Sequence, residues 1–156
     1  MWELLYRCFP NVDKVAKMKV ENINDLSNGI TLLSSIHEEF GKFTIAFRPT
    51  DRQNVYELQM FRRCPPYLRG SLPPDKIVEF KQAPGAEHLK LPSSDLLECH
   101  WRLAEILNAS GMAEIIDGYR REWEDIKTGA GSSLREDGKT DVGKMLSVAF
   151  WQHVAG

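Results

Sequence analysis

The chain has 156 residues, with 20 basic and 22 acidic side chains and a formal net charge of −2. That length fits one domain, with or without a tail, and buries roughly 68–70% of its unfolded surface, enough for a real core. A hydrophobic content of 42% and a charged content of 27% exclude collagen, coiled coil and wholesale disorder, and the near-neutral balance lacks the strongly basic character common among nucleic-acid-binding domains.

Trp2, Leu5, Tyr6 and Phe9 follow helical spacing, so an amphipathic helix opens the chain and Pro10 limits it. Residues 11–28 are polar and irregular, and their Asn, Asp, Ser and Gly density predicts a turn-rich loop. Ile30–Leu33 is a short strand candidate. Ser34 or Ser35 offers an N-cap for a short helix running to Phe40, carrying His37 and stopped by Gly41. Phe43–Phe47 and Val55–Phe61 are strand-like and pair as a hairpin, Arg62–Pro74 is a loop, and Ile77–Phe80 is a weaker strand.

From Leu91 the pattern turns helical. Pro92-Ser93-Ser94-Asp95 is a start signal, and Leu96, Leu97, Trp101, Leu103, Ala104 and Leu107 form an apolar face that Gly111 ends. Met112, Ile115, Ile116, Tyr119, Trp123 and Ile126 form the face of a second helix. Two helices joined by about four residues are expected to lie antiparallel. Residues 128–139 read as a mobile linker and 140–156 as a C-terminal helix, leaving residues 1–127 as the domain.

Several chemistries are excluded. Cys8, Cys64 and Cys99 form no C-x-x-C pair, which argues against structural zinc and for a reducing compartment. Asp137-Gly138-Lys139-Thr140 resembles the end of a phosphate loop, but the glycine required five residues before Gly138 is Ser133. No signal peptide and no apolar run of about 20 residues is present, so the expected location is intracellular, cytoplasm or nucleus, without a membrane partner. His100 sits on the apolar helix face and reads as a core histidine. Arg62, Arg63, Tyr67 and Arg69 gather charge and an aromatic in one loop. They suit phosphate contact and base stacking, and equally a solvated loop.

The run Asn28-Gly29-Ile30-Thr31-Leu32-Leu33-Ser34-Ser35-Ile36-His37-Glu38-Glu39-Phe40 places an asparagine at a loop end, a short extended segment, and then a helix with a histidine. It resembles the second half of an HNH endonuclease motif. The wider chain resembles an HNH group common in filamentous fungi, with the Asn-Gly-Ile segment, His-x-x-Phe helix, hairpin and Leu-Pro-Ser-led helix pair in this order. The resemblance implies an α+β fold with a partial ββα-metal motif, a small antiparallel sheet, a C-terminal helix pair and a tail helix. It implies metal-dependent cleavage of DNA phosphodiester bonds as the ancestral reaction, with Asn28 organising the loop and His37 ligating a divalent cation such as Mg.

The general base of that family is a histidine on the preceding strand, and residues 1–36 contain no histidine. The resemblance therefore predicts a chain lacking the first strand and its base, with hydrolysis weak or absent and no cofactor if inactive. Two other roles stay open: a non-catalytic module binding protein or nucleic acid, and a repurposed accessory protein in small-molecule metabolism. Self-association and protein partners have no sequence signal.

Overall fold

The structure is a computed structural model that describes residues 2–128. The chain forms two compact units, residues 1–109 and residues 110–156. The first unit contains α1 (Trp2–Cys8), α2 (Pro10–Lys14), α3 (Ser34–Gly41), β1 (Ile45–Pro49), β2 (Val55–Met60), β3 (Ile77–Glu79) and nearly all of α4 (Ser94–Ser110). Of the second, α5 (Met112–Thr128) is described. The expected linker from residue 129 and the tail helix lie outside the described residues. The fold is α+β.

Pro10 does not end the helical stretch; it starts α2, because a proline's missing N–H costs nothing in a first turn. The loop that follows holds two 3-10 turns, Val20–Asn22 and Leu26–Asn28. Ile30–Leu33 is not a strand. It is an extended arm whose Ile30 and Leu32 pack on the core while Thr31 and Leu33 are exposed. Burial alternates along it as it would in a strand. Pairing failed because the three-stranded sheet, ordered β1-β2-β3, leaves the arm without a ladder partner.

The predicted hairpin forms an antiparallel ladder, and β3 adds a second one on the other edge of β2. Ala46 faces Gln59, Phe47 faces Leu58 and Arg48 faces Glu57; Tyr56 faces Val78 across the second ladder. Ile36, Ile45, Phe47, Tyr56, Leu58, Cys64, Leu68 and Leu97 form the main core. Ala46 packs with Trp101 and Ala104 of α4 in a second cluster. The small side chains of Ala46 and Ala104, both 0% exposed, let β1 and α4 approach closely. Trp101 donates to the Gln59 side chain at 2.7 Å, and the Arg102 guanidinium lies 4.0 Å from its ring centroid.

The turn from α3 into β1 is where the unit is tied together. Gly41 was expected to stop α3, yet it is the last helical residue, and Phe43 instead takes the left-handed conformation at φ +57°. That conformation is strained for a bulky residue. Side-chain donors from distant segments reach three carbonyls of this turn, although the Phe40 carbonyl also accepts from the Phe43 N–H at 3.0 Å. His100 Nε2 donates to the Phe40 carbonyl at 3.0 Å, Arg63 Nη2 to Lys42 at 3.1 Å, and Asn108 Nδ2 to Phe43 at 2.7 Å. The His100 ring also stacks on Phe40 and Phe43, with centroids 3.6 and 4.7 Å away.

His100 is thus the core histidine the sequence suggested, but only half satisfied, since buried Nδ1 has no hydrogen-bond partner among the described residues. A proton there would be a buried charge, and burial pushes the ring's pKa down to about 4, against the upward pull of the Phe40 bond. The folded value lies below the unfolded value of about 6.5. The associated stability is therefore present above about pH 6.5 and is lost as pH falls from there through about 4. Between pH 7.5 and pH 5, urea titrations should show the protein losing on the order of 2 kcal/mol more than its His100→Gln variant. Equal acid dependence in the two proteins would contradict a neutral, buried His100.

Candidate functional site

Asn28 closes the second 3-10 turn and is half-buried. Its Nδ2 donates to the carbonyl of Asn22 at 2.6 Å and to that of Ile23 at 3.4 Å. Asn22 extends the network: its Oδ1 accepts from the Lys19 N–H at 2.7 Å, and its Nδ2 donates to the Lys17 carbonyl at 2.7 Å. Lys17 is itself left-handed, at φ +52°. The loop is anchored to α4 through the Ser93 N–H, which donates to the Ser27 carbonyl at 2.8 Å. The side chains of Asn28 and Asn22 together hydrogen-bond backbone groups of Lys17, Lys19, Asn22 and Ile23. Asn22 had no sequence signal beyond turn composition, and its part in the network follows from pairing six residues away.

Helix α3 starts directly after the extended arm. Leu33 stands at its N-cap, without the serine side-chain cap the sequence suggested. Ile36, Glu39 and Phe40 face inward, with Glu39 buried and accepting from Thr44 Oγ1 at 2.5 Å. Because His37 and Glu38 fall on the opposite side, both are exposed. Lys42 pairs with Glu38 at 2.6 Å and with Glu39 at 3.3 Å. The Lys42 hydrogen bond holds the Glu38 carboxyl below its ordinary range. The two carboxylates beside His37 are thus engaged elsewhere.

A divalent cation needs several ligands, and Mg favours oxygen. Among the described residues no group of three or more His, Cys, Asp or Glu side chains is placed to hold a metal. His37 alone does not make a cation site, so the described residues do not fit the metal that the resemblance implies.

The arginine loop divides. Pro66–Ser71 is a 3-10 turn rather than irregular chain, with Leu68 buried under it. Arg63 turns inward to the Lys42 carbonyl, its Nε 3.5 Å from Asn108 Oδ1. Arg62 and Arg69 remain exposed, and Tyr67 is 72% exposed. The buried thiols are poor nucleophiles, because burial pushes Cys99 up to about 11 and also raises Cys64.

If Asn28 organises its loop as described, Asn28→Ala should cost about 1–2 kcal/mol and speed amide exchange selectively over residues 17–28. Hydrogen-exchange mass spectrometry that finds this loop unchanged in the variant would contradict the role.

Residues 4–48 match the family model described as HNH endonuclease. No curated protein and no solved structure matches the chain. The matched segment takes in the Asn28 loop, the extended arm and the helix bearing His37, and it ends within β1. Through residues 4–48 the chain is similar to the HNH endonucleases.

Proposed function

We propose that this is a nuclease-like protein of HNH type whose ancestral reaction is metal-dependent cleavage of DNA, and whose own hydrolysis is weak or absent. The observation that carries this reading is the match over residues 4–48, which covers both the loop held by Asn28 and the exposed His37. Asn28 ties its own loop together, the Ser93–Ser27 bond holds that loop to the start of α4, and the exposed His37 offers a ring nitrogen to a cation. The proposed weakness follows from ligand number. Glu38 and Glu39 are paired with Lys42, and no other metal-ligating side chains gather around His37 among the described residues. No histidine among residues 1–36 is available to activate water.

A second reading, contact with nucleic acid without cleavage, is favoured by Tyr67. Its 72% exposed ring stands near two exposed arginines and offers a face on which a base can stack. Both readings expect DNA binding.

The proposal is tested by plasmid nicking with Mg²⁺ or Mn²⁺ beside a gel-shift assay, on this chain and on its His37→Ala variant. Retained DNA binding with nicking at or near background is the expected result. Efficient metal-dependent nicking that His37→Ala abolishes would overturn the weak-catalysis half. Absence of both binding and nicking would overturn the nuclease-like reading itself.

A further inference from the structure

A cavity of about 420 Å³ opens where the chain leaves β2, crosses the 3-10 turn and enters β3. Its apolar wall includes Met60, Leu72 and Pro74, and three cations, Arg62, Arg69 and Lys76, also line it. No carboxylate lines it. In a chain with more acidic than basic residues, that local composition is a concentration of one sign. Among the described residues none of the three cations takes part in an ion pair. The adjacent Asp75 is not among the lining residues, and its Oδ1 accepts from the Ile77 N–H at 3.2 Å.

The three cations come from three separately fixed pieces of backbone. Arg62 follows β2, where the Cys64 N–H donates to Phe61 at 2.9 Å. Arg69 rides the 3-10 turn, whose Leu68 is 2% exposed and whose N–H donates to the Pro65 carbonyl at 3.2 Å. Lys76 is held left-handed, at φ +56°, between a bond to the Pro73 carbonyl at 3.0 Å and one from the Leu58 N–H at 2.7 Å. A lysine in that conformation costs on the order of 1–2 kcal/mol that an asparagine or glycine would largely avoid. Prolines at 65, 66, 73 and 74 stiffen the connections. The backbone that carries the three cations around the opening is therefore fixed before any ligand arrives.

We propose that this pocket is a binding site for a phosphate group. Arg62 and Arg69 would donate paired N–H bonds to its oxygens, with Lys76 as a point charge and the apolar wall against the rest of the ligand. The inference rests on the nucleic-acid contact proposed for the arginine loop and deepens it. It adds Lys76 and moves the contact from an open loop to a cavity. A phosphate monoester and a backbone diester share this chemistry, and the test separates these sources.

The test is titration of the full chain in EDTA, followed by amide NMR at low and at 0.3 M salt. The ligands are inorganic phosphate, a mononucleotide 5′-phosphate, and a short single-stranded DNA with and without a 5′-phosphate. We expect saturable shifts confined to residues 60–76 that weaken with salt. Arg69→Gln and Lys76→Gln should each weaken binding about tenfold, while Lys81→Gln, at a lysine paired with Glu79, leaves it unchanged. Dependence of the DNA on its 5′-phosphate assigns a monoester site, and independence assigns a diester site. Lack of saturable binding by any of these ligands, or equal binding by the two pocket variants with native melting curves, would overturn the proposal. Because EDTA removes metal-dependent cleavage from the measurement, a failure here leaves the nicking result standing, and the reverse also holds.

Discussion

The first unit depends on satisfying three backbone carbonyls. A helix that ends against a core leaves orphan acceptors, and a buried acceptor without a donor costs about 1–3 kcal/mol. At the turn from α3 into β1 the Lys42 and Phe43 carbonyls take Arg63 and Asn108 as donors, and the Phe40 carbonyl, which also accepts from the Phe43 N–H, takes His100. Two of the donors belong to α4 and one follows β2. A single turn therefore fixes the helix, the sheet and α4 to one another. The left-handed Phe43 and the His100 Nδ1, without a partner among the described residues, are local costs of that arrangement, offset by ring stacking and by the three hydrogen bonds.

The candidate site inherits its geometry from this turn. With Phe40 and Glu39 held inward at the end of α3, the opposite face of the helix is committed to solvent, and His37 is on it. At the other end the extended arm leads back to the Asn28 loop, which the Ser93–Ser27 bond joins to the start of α4. Helix α4 thus positions both the loop and the histidine without contributing a side chain to the proposed chemistry. What the unit does not assemble, among the described residues, is a set of ligands around His37. This separation between an intact scaffold and an incomplete donor set underlies the proposal of weak catalysis.

The sequence showed what periodicity and turn chemistry encode. Helix α3, the hairpin and the start of α4 all lie within a few residues of their expected positions, because apolar spacing and Pro or Ser punctuation are local signals. The Ile30–Leu33 arm was misread because alternation reports which side chains are buried, not whether a neighbouring strand exists. Asn108 stands near the end of α4, and Arg63 reads as a loop cation in the sequence. Their partners lie 65 and 21 residues away, and no local pattern reports a hydrogen bond across that separation. The same holds for Lys76, which the fold carries to a cavity shared with arginines it follows at a distance in sequence. The loop of about four residues between the last two described helices is in fact Gly111 alone, whose φ of +73° makes a shorter break than composition suggested.

If the carbonyl-capping turn governs the unit, breaking one donor should loosen elements far from the substitution. Hydrogen exchange on Asn108→Ala measures this directly. The account predicts that amides of residues 34–48, including Phe43 and Thr44, lose protection by about tenfold or more, while the β2–β3 ladder stays protected. Unchanged exchange through α3 and β1, with any loss confined to α4, would contradict it.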